Sequence, residues 1–406
     1  MHDPWIEGFA FQDAWSLISD SRYGYDEFSG VDYIWISHEH PDHFSPLVLR
    51  KIPADVRQSI TILHRESKDR RVVSFCQKLG FKVQELPNRK PVELKNGVKI
   101  TCGSVVSDSW SLVETPNANY FNANDCVGVR WADIAQFLGR KVDVLLTQFS
   151  YANWVGNVGE NKRMAAQAAQ KVDQIEEQLA AFQPQYLVPF ASFVWFCRPD
   201  NFHMNSEANS IEKIYRMFED RLETIVLYPG DTFTLGEPFD APAAVRRYMA
   251  DIARHDRPLP AEERPVSIEE LEQSSTALEA ALRQKNLMWM LKPLEWLGYI
   301  QPIRLYLKDI GMGLEYSMFS GIIRHHVAKK DCDLELSSFR FKNILVNGYG
   351  YNTLCVGGCY TELKDGGAAR MSKHFAIFGQ NAVGYTFPGM LLNWDYLRTH
   401  MTRRLG

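Results

Sequence analysis

The chain has 406 residues, 45% hydrophobic and 23% charged, with a formal net charge of −4. That balance suits a globular protein with a sizeable core and gives no electrostatic footprint for nucleic acid or an anionic membrane surface. Seven scattered cysteines without a C-x-x-C pair, no apolar run of about 18 residues and no secretion-type N-terminus together predict reduced thiols, no membrane span and a cytoplasmic location.

In chain order, Val31, Tyr33, Ile34 and Ile36 read as a buried strand, and Pro41 prevents the next residues from continuing it. The strand therefore empties into a tight loop, Ser37-His38-Glu39-His40-Pro41-Asp42-His43. Strands are predicted over Ser59–Leu63, Lys82–Leu86, Val98–Thr101, Ser111–Thr115, Val142–Thr147, Tyr186–Pro189 and Thr224–Leu227. Helices are predicted over Glu66–Leu79, Asn161–Phe182 and Ile211–Arg221. This alternation gives an α/β layered domain over residues 1–236. Residues 237–330 change texture: a proline-punctuated charged stretch leads to a helix at Ile268–Gln284. The Trp-rich segment Asn286–Ile303 reads as a buried helix pair covering the first domain. Residues 331–406 read as a small β-rich module, with strands at Leu334–Phe339, Ile344–Val346, Thr353–Val356 and Phe375–Phe378.

The loop after the first strand places three histidines and an aspartate within six positions. Neutral imidazole and ionised carboxylate are natural ligands for zinc, iron or manganese, and their alternation lets one loop serve one or two ions. Asp125, in Asn122-Ala123-Asn124-Asp125-Cys126, reads either as a turn residue or as a further ligand. Asp108 reads as a ligand or as a loop cap. His203 reads as a ligand, a substrate contact or a satisfied loop histidine; Tyr151, Trp154, Trp195, Phe202 and Asn205 lie in loops that line a substrate cleft or pack down. Cys126 is expected to be a small buried thiol. The pair His325-His326 is expected on the surface at a helix end.

The H-x-H-x-D-H array resembles the signature of the metallo-β-lactamase superfamily, which implies a four-layer αββα sandwich with its metal site where the two sheets meet. The resemblance implies that His38 and His40 serve one metal and Asp42 and His43 the other, with Asp125 bridging them. Asp108 stands where many members place a histidine. After Tyr186–Pro189, where members usually carry a last histidine ligand, this chain reads Phe190-Ala191-Ser192. Residues 1–236 further resemble the metallo-β-lactamase-like portion of CMP-N-acetylneuraminate hydroxylase and its bacterial relatives. That resemblance is carried by Asp3-Pro4-Trp5, Asn124-Asp125-Cys126, Pro189-Phe190-Ala191 and Pro229-Gly230-Asp231. It implies an oxygenase fed by a Rieske cluster, but no C-x-H…C-x-x-H pattern is present here, so either a separate electron-donor protein or a different chemistry is expected. It also implies a strand before Asp3, so a late start codon and an unpaired sheet edge are expected.

Two divalent metal ions are thus expected, iron favoured and zinc or manganese allowed, with Asp42 and Asp125 as catalytic residues and a small molecule as substrate. The leading reading is a (di)iron oxygenase hydroxylating a sugar, nucleotide-sugar or amino acid derivative. The alternatives are a dinuclear hydrolase of a phosphodiester, lactone or amide using metal-bound hydroxide, and a metal-binding module without turnover.

Overall fold

A computed structural model describes residues 1–105 and 108–392 of the chain. The first part contains β1 (Trp15–Leu17), β2 (Tyr33–Ile36), α1 (Pro46–Lys51), α2 (Ala54–Ser59), β3 (Thr61–Arg65), α3 (Arg71–Lys78) and β4 (Lys82–Leu86). It continues with β5 (Pro91–Glu93), β6 (Lys99–Val105), β7 (Asp108–Glu114), β8 (Asn119–Asn122), α4 (Trp131–Leu138), β9 (Val144–Gln148) and α5 (Asn161–Phe182). Then come β10 (Tyr186–Phe190), β11 (Val194–Phe196), α6 (Ile211–Phe218), β12 (Glu223–Thr224) and α7 (Ala241–Ile252).

The parallel strands β2-β3-β4 form one sheet, and β12-β10-β9-β8-β7-β6-β5 form a second, seven-stranded sheet. Strand side chains alternate between faces, and the apolar clusters follow that alternation. Ile34, Ile36 and Ile62 pack outward against Val48, Leu49, Val72 and Cys76 from α1 and α3. Trp35, Leu63 and Leu86 face inward and meet Ile100 and Cys102 of β6. On the far face of the large sheet, Trp110, Leu112, Phe121 and Leu145 pack under residues of α4, α5, α6 and α7. Helices, sheet, sheet, helices is the four-layer arrangement that the metallo-β-lactamase resemblance predicts. One glycine is essential to the large sheet: Gly103 pairs across the strand with Trp110, and a Cβ there would lie 2.0 Å from the indole Cζ2. The edge of β2, expected bare, is paired at Trp35 by residues 1–3: Trp35 N–H donates to Met1 O and Asp3 N–H to Trp35 O, both at 2.9 Å.

The remaining chain departs from expectation. It contains α8 (Ile268–Lys285), α9 (Met288–Trp296), β13 (Ile303–Leu307), β14 (Met312–Ser317), β15 (Gly321–His325), β16 (Leu334–Leu336), α10 (Ser338–Val346), α11 (Gly350–Gly357), β17 (Thr361–Glu362) and α12 (Gly367–Ala382). The five-stranded sheet β15-β14-β13-β16-β17 draws strands from both sides of the expected boundary at 330/331. The strands predicted at Ile344–Val346, Thr353–Val356 and Phe375–Phe378 are helical, within α10, α11 and α12. Short apolar runs do not distinguish a buried strand from a buried helix turn, and here contacts with the sheet decide. The end of the expected module, 393–406, lies outside the described residues, as does Ser107. His325 ends strand β15, not a helix. The Trp-rich stretch is one helix, α9, whose only buried residue is Leu291; Trp289 and Trp296 are 73% and 88% exposed, so it does not cover the first domain with its tryptophans.

A single apolar cluster joins this C-terminal part to Phe11, Ala14, Trp15, Tyr151, Trp154 and Met164 of the first part. Arg340, 1% exposed on α10, donates to the carbonyls of Phe11 at 3.2 Å and Gln12 at 2.9 Å and pairs with Glu263 at 2.6 Å. It clamps three consecutive left-handed residues, Phe11, Gln12 and Asp13, with φ of +53°, +55° and +59°. All seven cysteines are free thiols. No helix among the described residues is long and apolar enough to cross a membrane.

Candidate metal centre

The loop leaving β2 is set by its own backbone and by Asp3. His43 and Phe44 N–H groups both donate to His40 O, at 3.0 and 2.7 Å, so the chain turns back after Pro41 and stacks its side chains. Asp3 accepts from Ser37 N–H and Ser37 Oγ, each at 2.8 Å, and lies 2.9 Å from His43 Nδ1. Asp3 has φ of +42°, so its placement costs local strain that these three contacts offset. Asp108 arrives at the first residue of β7, and Asp125 follows β8 on a turn in which Asn124 has φ of +49°. Asn124 Nδ2 donates to Asp108 Oδ1 at 3.0 Å, tying the two carboxylate-bearing segments together. Asp125 is therefore both a turn residue and part of the cluster.

The expected ligand residues do converge. His38 Nε2 lies 2.8 Å from His40 Nδ1, and His38 Nδ1 lies 3.1 Å from Asp108 Oδ1. His43 Nε2 lies 3.1 Å from Asp125 Oδ2 and 3.3 Å from Asp42 Oδ2. One ligand atom each from His38, His43 and Asp125 falls within a 4.8 Å span. Asp42 Oδ1 is buried with no hydrogen-bond partner among the described residues, a costly position that a cation would relieve. This donor set and this orphaned oxygen fit a divalent metal.

The electrostatics are those of a buried cluster in which carboxylates favour positive charge on two of the three imidazoles. Burial disfavours a charged His43, but Asp42, Asp125 and Asp3 outweigh it and carry the pKa well above the usual imidazole value. His38 is likewise raised, burial being overcome chiefly by Asp108. His40 is lowered to about 4 by burial and by the neighbouring His38 charge. For Asp125, burial pushes upward, but His43, then His38 and Lys171, bring the pKa far below the carboxylate range. Cys126 is a buried thiol whose pKa burial and the nearby Asp108 and Asp125 charges raise, as expected for an inert position.

A cleft of about 180 Å³ opens over this cluster, lined by His38, His40, Asp42, Asp108 and Asp125 with Phe11, Trp15, Gln148, Asn153, Lys171 and Val356 among others. Among the loop residues read as substrate contacts or packing residues, His203, Tyr151 and Asn205 are not part of the cleft lining. His203 lies beside Gly156 O at 2.9 Å, Tyr151 is buried with its hydroxyl donating to Met204 O at 2.5 Å, and Asn205 bonds the Phe196 backbone. Each fastens a loop.

Sequence reasoning missed Lys171 and Gln148. Gln148 Nε2 donates to Asp125 Oδ1 at 3.2 Å, and Lys171 Nζ donates to Gln148 Oε1. Burial lowers the Lys171 pKa, with Asp125 and Asp108 opposing. A signal was present: the buried stripe of α5 runs Met164, Ala168, Val172, Ile175, Gln178 and Phe182, and Lys171 lies at its edge, three residues after Ala168 and four before Ile175. A lysine at the edge of a buried stripe needs a partner.

No family model matches the chain. It is 25% identical over 256 residues to a protein of Mycobacterium tuberculosis provisionally named a Rieske 2Fe-2S iron–sulfur protein, covering 57% of this chain and 49% of that protein. A similarly named protein of Mycolicibacterium smegmatis is 23% identical over 301 residues, covering 64% of this chain and 57% of that protein. The chain thus spans about half the length of the curated relatives it matches. Among solved structures, the diiron β-hydroxylase CmlA of Streptomyces venezuelae is similar at 13% identity and a TM-score of 0.35, over 49% of this chain and 44% of that one. The metallohydrolase Igni18 of Ignicoccus hospitalis gives 13% and 0.31 over 51% and 80%, and Zn²⁺-bound PqqB of Methylobacterium extorquens gives 15% and 0.32 over 50% and 71%. Likenesses this slight say nothing about the chemistry of this chain.

Proposed function

We propose that the chain is a metal-dependent enzyme of metallo-β-lactamase type whose centre holds two divalent ions, iron favoured, and hydroxylates a polar small molecule. The observation that carries this reading is the donor balance: three imidazoles, His38, His40 and His43, face three carboxylates, Asp42, Asp108 and Asp125. Oxygen-rich coordination suits iron or manganese better than zinc. Bound iron would supply dioxygen activation, whereas zinc in the same frame would lower the pKa of a bound water. The protein's own part is to hold and shield. Asp125 faces His43 and is steadied by Gln148; Lys171 and Asn153 offer hydrogen bonds to a polar or anionic substrate group; Phe11, Trp15 and Val356 keep water from one side of the cleft.

The reading requires a source of electrons, and the names of the curated relatives suggest the Rieske class for it. Protein purified without added metal should contain two irons and show an optical band that bleaches on reduction. His40→Ala and Asp125→Ala should each lose metal; full stoichiometry in both variants would refute the ligand set. Stoichiometric zinc, together with hydrolysis of a phosphodiester by anaerobic, iron-free protein, would overturn the oxygenase in favour of the hydrolase.

A further inference from the structure

The metal-bearing loop and α11 lie 312 residues apart in sequence, yet they meet at His40. Asn352 Oδ1 lies 2.7 Å from His40 Nε2. An amide oxygen only accepts, so the ring proton sits on Nε2 and Nδ1 keeps its lone pair. That lone pair is directed at the point 2.8 Å away occupied by His38 Nε2, where the ligand atoms converge. Phe11 meets the His40 ring only edge-on, with centroids 5.5 Å apart, and offers no hydrogen bond to either nitrogen.

The helix that carries Asn352 is itself anchored on both flanks of the cleft. Trp154 N–H donates to Cys355 O at 2.8 Å. Asn201 Nδ2 donates to Gly357 O at 2.6 Å and to Ala14 O at 2.9 Å. A Cβ on Gly357 would lie 3.0 Å from that of Ala14, so helix and turn are in close contact. Val356, one turn beyond Asn352, lines the cleft. The Asn352 oxygen is therefore held by the fold at the solvent mouth of the site, where a water would be free to leave or to reverse its hydrogen bond.

We infer that Asn352 is a positioning residue for the metal centre: it selects the His40 tautomer that presents Nδ1 to the metal, and so makes the C-terminal part a required component of the site. The inference rests on the metal-centre reading. Partners of this kind typically change metal affinity by about 10- to 100-fold, and an exposed one belongs at the lower end.

The test is titration of Zn²⁺ alone into the full chain against a chromophoric chelator, comparing wild type, His40→Ala, Asn352→Ala and Asn352→Asp. Asn352→Ala should bind zinc about 10-fold more weakly than wild type, at an unchanged urea midpoint. Asn352→Asp, which keeps an acceptor oxygen, should restore wild-type affinity or exceed it. Equal affinity in wild type and Asn352→Ala, or equal weakening in Ala and Asp variants, overturns the inference while leaving the metal centre intact. Wild type that takes up no zinc, or that His40→Ala matches, overturns the metal-centre reading itself and this inference with it.

Discussion

Replacing Arg340 tests whether the C-terminal part holds the cleft wall in a strained form. Its guanidinium is 1% exposed, bonds Glu263 through Nε and Nη2 at 2.6 Å, and caps the carbonyls of Phe11 and Gln12. Removing one partner of a buried ion pair leaves the other charge uncompensated, at about 3–5 kcal/mol. Left-handed backbone costs non-glycine residues about 1–2 kcal/mol each, so the run Phe11-Gln12-Asp13 stores about 3–6 kcal/mol that the clamp restrains. Part of that strain is released when the clamp goes, which limits the net loss. Arg340→Ala should therefore destabilise the chain by at most about 3–5 kcal/mol, read as a fall in the urea midpoint followed by tryptophan fluorescence. Arg340→Met with Glu263→Ala should recover part of the loss, because no buried charge is then left unpaired. An Arg340→Ala midpoint matching wild type, or a double variant as unstable as the two single losses summed, would refute this reasoning.

Two further outcomes follow from the buried histidines. His374 is fully buried, bonding Gln301 O at 2.8 Å and accepting from Met318 N–H at 2.9 Å, and burial lowers its pKa to about 4. Between that value and the unfolded 6.5 the unfolded chain binds the extra proton. Stability from this group is thus complete above about pH 6.5 and falls by about 3 kcal/mol as the pH drops towards 4. The difference in urea stability between wild type and His374→Gln should shrink by that amount over this window; a constant difference would sink the idea. At the metal centre, carboxylates raise the pKa of His43 and of His38, so metal uptake competes with their protons. Zinc binding at pH 7 should release protons, seen as buffer-dependent heat in calorimetry, and the affinity should climb with pH. Heat independent of the buffer's ionisation enthalpy would refute it.

Much of the first part was legible in the sequence because its determinants are local. The strand predicted at Lys82–Leu86 forms with those ends, as does the helix over the Ala- and Gln-rich run Asn161–Phe182. Pro41 and the tight histidine spacing put four ligand-type side chains on one loop whatever the rest of the chain does. The C-terminal part was misread because Ile344–Val346 and Phe375–Phe378 are short apolar runs whose state depends on what they pack against. Lys171, Gln148 and Asn352 escaped for another reason: each is an ordinary residue on an ordinary element until a second element meets it. The sequence determined that this chain carries a cluster of metal-type donors beside a buried strand. Only the tertiary structure brought Asp108 and Asp125 beside the histidines, Asn352 Oδ1 to 2.7 Å from His40 and Val356 of α11 to the wall of the cleft, since those contacts join residues tens to hundreds of positions apart.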